Sequence, residues 1–184
     1  MPKLIIGLVG QAGCGKGTVA DILRERYGAD YTRFSAILGD VLLRIHLEKT
    51  RENLIKLSEA LRHTFGEDVL SYALEGDVVT SPKDIIVIDG IRRLEDIVAL
   101  EPLPNFKLVA IDAPPKVRYE RMKKRGEKVG EKNMTWEEFL KEEKASTEVT
   151  IPGVMARAWK TIANANTREE LETMVHQMMK ELGF

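Results

Sequence analysis

Leu4-Ile5-Ile6-Gly7-Leu8-Val9 runs straight into Gly10-Gln11-Ala12-Gly13-Cys14-Gly15-Lys16-Gly17-Thr18. The apolar run reads as a buried strand. The glycine-rich turn opens an amphipathic stretch, Val19, Ile22, Leu23 and Tyr27, closed by Gly28, which reads as a helix with a glycine stop. A loop that wraps a polyphosphate must turn successive backbone N–H groups inward, and side chains would obstruct that approach. Gly10, Gly13, Gly15 and Gly17 meet the requirement. Lys16 supplies an ammonium for the β- and γ-phosphates, Thr18 a hydroxyl suited to Mg²⁺, and the helix presents its positive end to the anion. Cys14 reads as a small loop residue. As the only cysteine it forms no internal disulfide, which fits a reducing compartment.

Outward from this segment, strand-like runs recur at 5–9, 31–34, 85–89, 107–111 and 161–163, with helical patterns between them. The alternation predicts an α/β fold: a five-stranded parallel sheet with helices on both faces. Leu54, Leu57, Leu61 and Phe65, stopped by Gly66, mark one helix, and Leu171, Met174, Val175, Met178 and Leu182 another. Thr167 with Glu170, and Thr135 with Glu138, read as capping boxes.

A chain of 184 residues with 43% hydrophobic content supports one sizeable core. We expect a single domain over 1–184, with a core at 1–34, 77–117 and 145–184, a helical insertion at about 35–76 and a lid region at about 118–144. A net charge of −1 provides no general attraction to nucleic acid. Without an apolar run long enough for a membrane span or a secretion signal, a cytoplasmic protein is expected. Apolar helix stripes serve cores and dimer seams alike, so both monomer and homodimer stay open.

In open parallel sheets the ligand lies beyond the carboxyl ends of the strands. There the sequence reads Ile85-Ile86-Val87-Ile88-Asp89-Gly90-Ile91-Arg92-Arg93. Asp89 at a strand end suits Mg²⁺ or its waters, and an arginine fork just beyond suits an acceptor phosphate. The plainer alternative makes Asp89 the cap of a helix starting near Arg92. Arg118, Arg121 and Arg125, at i, i+3 and i+7, share one helix face where a lid could bring them onto a phosphoryl group. The alternative there is a solvated stripe paired with Glu120 and Glu127.

Gly10–Thr18 resembles the phosphate loop of the adenylate kinase and nucleoside monophosphate kinase superfamily, with glycine directly after the lysine and threonine next. Asp89-Gly90-Ile91-Arg92-Arg93 is similar to that family's Asp-Gly-Phe-Pro-Arg, which makes Arg93 the counterpart of its acceptor-phosphate arginine. Phe34-Ser35 with Gly39-Asp40-Val41-Leu42-Leu43-Arg44 resembles, slightly stretched, its acceptor-holding segment, implicating Ser35 and Arg44. The C-terminal half, with Arg121–Arg125 and Ile162-Ala163-Asn164-Ala165-Asn166, is similar to dephospho-CoA kinase and its uncharacterised kinase-like relatives. The resemblance implies a three-layer P-loop kinase fold with an acceptor-binding insertion and small lid, and ATP with Mg²⁺ as cofactor.

The expected chemistry is transfer of the γ-phosphoryl group of ATP to a small-molecule acceptor, a nucleoside or deoxynucleoside monophosphate. Lys16, Arg93, Arg121 and Arg125 would act on the phosphates. Gly10, Gly13, Cys14, Gly15, Lys16, Gly17 and Thr18 would hold the nucleotide, and Ser35, Arg44, Asp89, Arg92 and Arg93 the acceptor. Thr18 and Asp89 would hold the metal. Transfer to a ribose hydroxyl, as in dephospho-CoA kinase, is the runner-up. That family carries an Asp-x-Asp pair at the end of strand two, where this chain reads Thr32-Arg33-Phe34-Ser35-Ala36. A regulatory nucleotide-binding ATPase is the alternative of another class.

Overall fold

The computed structural model describes residues 1–126, 131–145 and 148–184. Five strands, β1 (Leu4–Val9), β2 (Asp30–Arg33), β3 (Ile85–Ile91), β4 (Phe106–Asp112) and β5 (Lys160–Ala163), form one parallel sheet in the order β2-β3-β1-β4-β5. All six residues of central β1 are buried, because both faces of the strand are covered. Ile6 pairs with Val87 on one side and Lys107 on the other.

The helices are α1 (Lys16–Tyr27), α2 (Phe34–Arg44), α3 (Arg51–Phe65), α4 (Val69–Val79), α5 (Pro115–Arg125), α6 (Trp136–Glu142), α7 (Ile151–Met155) and α8 (Arg168–Glu181). Strand alternation splits the core into two layers. Ile6, Leu8, Val87 and Ile111 pack with Val19 and Leu23 of α1 and Val175 and Met178 of α8. Ile5, Val9, Ile86 and Ile88 pack on the opposite face with α2, α4, α7, Ile97 and Leu100. Each fully buried aliphatic side chain contributes about 1.5–3 kcal/mol of transfer free energy. A third, smaller cluster of Met122, Met134 and Phe139, with Tyr119 and Trp136 packed on it, ties α5 to α6.

This topology places the site. The β1–β2 connection runs to one side of the sheet over the α1 face, and the β3–β4 connection crosses to the other side over the Ile97 and Leu100 face. The carboxyl ends of β1 and β3 therefore flank an opening.

Local signals explain the element ends. Thr135 and Glu138 form a reciprocal capping box on α6. On α8 only half of the expected box forms: Thr167 accepts from the Glu170 N–H, while the Glu170 carboxylate takes the Asn166 amide instead. The helix expected near Arg92 is a 3-10 turn at Leu94–Asp96, because β3 runs past Asp89 to Ile91. Among the described residues no helix is long and apolar enough to cross a membrane.

Candidate active site

The turn from β1 to α1 crosses the C-terminal edge of the sheet. Gly13 and Gly15 have positive φ, 77° and 103°. A Cβ on Gly13 would lie 2.6 Å from the Arg118 carbonyl oxygen, and one on Gly15 would lie 2.1 Å from Asn164 Nδ2. Both positions thus require glycine for conformation and for room. The α1 N-terminus has no side-chain cap and no acidic residue in its first turn. Its N–H groups therefore face no built-in anionic competitor for a phosphate. Lys16 Nζ folds across the loop to the carbonyls of Gly10 at 2.5 Å and Gln11 at 3.3 Å, with Cys14 Sγ at 3.7 Å. Cys14 itself is buried.

Asp89 lies on the α1 face of the sheet by strand alternation, in step with Ile85 and Val87, which pack against α1. Its Oδ1 accepts from the Gly90 N–H at 2.7 Å and its Oδ2 from the Tyr31 hydroxyl at 2.9 Å. Burial first, then the adjacent Asp89 charge, push the Tyr31 hydroxyl up to about 12, so it stays a donor at ordinary pH. The donor set suits a hard cation: the Asp89 carboxylate faces the helix whose first turn carries the Thr18 hydroxyl. Among the described residues no group of three or more His, Cys, Asp or Glu could cage a metal. An ion held through one carboxylate, a hydroxyl, phosphate oxygens and waters is the mode Mg²⁺ prefers. Thr18 and Asp89 therefore fit Mg²⁺.

Arg92 and Arg93 follow β3, and their backbone is fixed by Asp96, a residue the motif reading did not single out. Asp96 Oδ2 accepts from the N–H groups of Arg92 at 2.8 Å and Arg93 at 3.0 Å, and its Oδ1 from Arg62 Nη2 at 2.6 Å. Arg62 is 7% exposed and Asp96 3%. Arg62 also donates to the Glu67 carbonyl, and Ser71 donates to the Asp96 carbonyl at 2.9 Å. This network joins α3 and α4 to the turn after β3, so the helical insertion and the arginine pair form one piece. The two guanidiniums diverge: Arg92 pairs with Glu148 of the C-terminal part, and Arg93 with exposed Glu67 at 3.2 Å.

The α5 arginines go to separate partners. Arg118, 2% exposed, donates to the Ala113 carbonyl at 3.0 Å and the Ala12 carbonyl at 3.4 Å, and pairs with Glu143 at 2.5 Å over the Phe139 ring. Gln11 of the loop reaches the same Glu143 oxygen at 3.1 Å. Arg121 donates to the carbonyls of Asn164 at 2.8 Å and Asn166 at 3.3 Å. Arg125 pairs with buried Glu131 at 2.8 Å. The shared arginine face is therefore divided among the loop, the β5–α8 connection and the acids Glu131 and Glu143. Glu127, the partner expected for the stripe, falls in 127–130, outside the described residues. A cleft of about 100 Å³, open to solvent, lies between Ala12, Arg51, Arg118, Met122, Glu143 and Glu148.

Ser35 sits half-buried in the first turn of α2, and Arg44 is exposed in its last turn. Asp40, the nearest acid after β2, is exposed and pairs with Lys49 at 3.6 Å. Asn164, Glu143, Asp96 and Arg62 escaped the sequence reading as site residues. Only Asn164 carried a local signal, being a polar residue at a strand's carboxyl end. The others act through partners distant in sequence.

The fold and loop define a P-loop protein of the kinase-like superfamily. A family model described as AAA domain matches residues 6–148. The chain belongs to that family and, more narrowly, to the UPF0200 proteins: it is 30% identical to the UPF0200 protein of Pyrococcus horikoshii, over 97% of each chain. A shikimate kinase from Bacteroides thetaiotaomicron superposes with a TM-score of 0.66 at 13% identity, over 98% of this chain and 99% of that one. A gluconokinase from Sinorhizobium meliloti gives 0.62 at 17% identity, over 99% and 97%. These likenesses bear out the expected three-layer fold.

Proposed function

We propose that this protein is an ATP-dependent phosphotransferase that passes the γ-phosphoryl group to a nucleoside or deoxynucleoside monophosphate. The observation that carries the reading is the Arg92-Arg93 turn: its backbone is clamped by Asp96 at the carboxyl end of the strand beside β1, while the Arg93 side chain pairs with the exposed carboxylate of Glu67. Exposed ion pairs are weak, so an acceptor phosphate can displace Glu67 and take the guanidinium in a bidentate contact.

Lys16 would leave the loop carbonyls for the β,γ-phosphates, and Thr18 and Asp89 would hold Mg²⁺, which neutralises charge on the phosphate oxygens when bound. Arg121 and Arg125, carried by the helix packed on the loop, lie where lid closure can bring them toward the transferred group. A phosphate acceptor needs no general base. A hydroxyl acceptor of the kind named by the shikimate kinase and gluconokinase neighbours calls for a general base, and the end of β2 in this chain offers Arg33, Phe34 and Ser35, none of them an acid.

The test incubates the protein and Mg-ATP with a panel of NMPs, dNMPs, dephospho-CoA, shikimate and gluconate, and measures ADP with and without each acceptor. A nucleotide acceptor should stimulate ADP formation. Stimulation only by a hydroxyl acceptor, or hydrolysis indifferent to every acceptor, would refute the assignment, the latter in favour of a regulatory ATPase. Lys16→Ala should remove most transfer with the fold intact. Arg93→Ala should raise the KM of the acceptor more than that of ATP.

A further inference from the structure

Tyr31 donates a side-chain hydrogen bond to Asp89 of β3, and nothing in the proposed chemistry uses it. It lies on edge strand β2, in register with Val87, two residues before Asp89 on the neighbouring strand. Its ring spans that diagonal along the α1 face and brings the hydroxyl to 2.9 Å from Asp89 Oδ2. The ring is held on several sides. It packs against the buried cluster beneath α1, and the guanidiniums of Arg33 and Arg24 lie 5.4 and 6.0 Å from its centroid.

A carboxylate with one oxygen bonded to the N–H of the next residue is still free to pivot about that contact. Oδ1 is bonded in this way to Gly90. A second donor on the other oxygen, delivered by a rigid ring, fixes the carboxylate plane. An ionised carboxylate accepts about four hydrogen bonds, so both oxygens keep capacity for a cation or its waters. A strand needs nothing more of position 31 than a β-favouring, half-buried side chain, which phenylalanine supplies equally well.

Building on the assignment of Asp89 to the metal, we propose that Tyr31 is a positioning residue that orients the Asp89 carboxylate toward the nucleotide-bound divalent cation. Outer partners of this kind set ligand direction, and their loss weakens metal binding or activity by about 10–100-fold.

The test uses the full chain with Mn²⁺ as the probe, read by electron paramagnetic resonance in the presence of a non-hydrolysable ATP analogue. Tyr31→Phe should weaken Mn²⁺ binding about 10-fold, leave metal-free nucleotide binding unchanged, and give a rate that excess Mg²⁺ restores. In an Asp89→Asn background the same substitution should do nothing further. Circular dichroism confirms that each variant is folded, and Tyr31→Trp, which keeps a ring but moves the donor, should behave as Tyr31→Phe does. Should Asp89→Asn weaken Mn²⁺ binding while Tyr31→Phe does not, the positioning role is overturned and the metal assignment of Asp89 stands. Should neither substitution change it, both are overturned.

Discussion

The side-chain amide of Asn164 donates to the backbone carbonyl of Cys14 at 2.8 Å, joining the end of β5 to the phosphate loop across 150 residues of sequence. The same asparagine receives Arg121 on its backbone carbonyl, with its side-chain oxygen 3.3 Å from the other guanidinium nitrogen. The loop, the end of the last strand and α5 thus meet at one buried asparagine. A loop fastened at its middle offers its N–H groups in one arrangement, so less ordering is needed when a polyphosphate binds.

Asn164→Ala should therefore weaken ATP more than the acceptor. It leaves the Cys14 carbonyl without its buried donor, a loss of about 1–3 kcal/mol. The midpoint of thermal unfolding should fall by about 2–4 °C for each kcal/mol in a domain of this size. Calorimetry with an ATP analogue and a melting curve check both; unchanged nucleotide affinity would remove Asn164 from the site.

Asp96→Ala should be among the most damaging single changes outside the loop. It strands the buried Arg62 guanidinium and two backbone N–H groups, and breaking a buried pair from one side costs about 3–5 kcal/mol. Replacing both partners by Leu and Met should not recover the loss, since the N–H groups of Arg92 and Arg93 would still lack their acceptor. Denaturant unfolding of the single and double variants distinguishes these outcomes.

Glu143→Ala removes the carboxylate shared by Arg118 and Gln11, the contact that joins the end of α6 to α5 and the loop. Trp136 stacks on Phe139, whose ring lies under Arg118, and so reports on this contact. In a Trp159→Phe background, Trp136 emission should shift to the red and become accessible to quencher. Emission unchanged from the parent would show that α6 packs on α5 without Glu143.

Tyr31 provides a pH prediction. Its folded-state pKa of about 12 exceeds the ordinary 10.0, mainly through burial and then through Asp89. Its contribution to stability is fully present below pH 10 and is lost as pH rises toward 12. The tyrosinate absorbance that Tyr31→Phe removes should therefore have its midpoint well above pH 10. Asp89→Asn should lower that midpoint only partway, because burial remains.

Much of this was legible residue by residue. The run at Leu4–Val9, the glycines that follow and the strand that carries Asp89 have their meaning locally, because hydrophobic run length and glycine spacing are local properties. The arginine stripe of α5 was read correctly as one face and incompletely as one function. Helical spacing tells which side chains are neighbours, whereas the carbonyls and carboxylates of other elements decide where each guanidinium goes.

The sequence by itself thus determined the parallel α/β architecture, the phosphate loop and its lysine, since each follows from short-range periodicity and backbone freedom. Only the tertiary structure decided that Asp96 clamps the Arg92-Arg93 turn, that Asn164 fastens the loop, that Glu143 joins Arg118 to Gln11 and that Tyr31 reaches Asp89. Those contacts join residues far apart along the chain, and their partners are selected by strand order and packing, which no local pattern encodes.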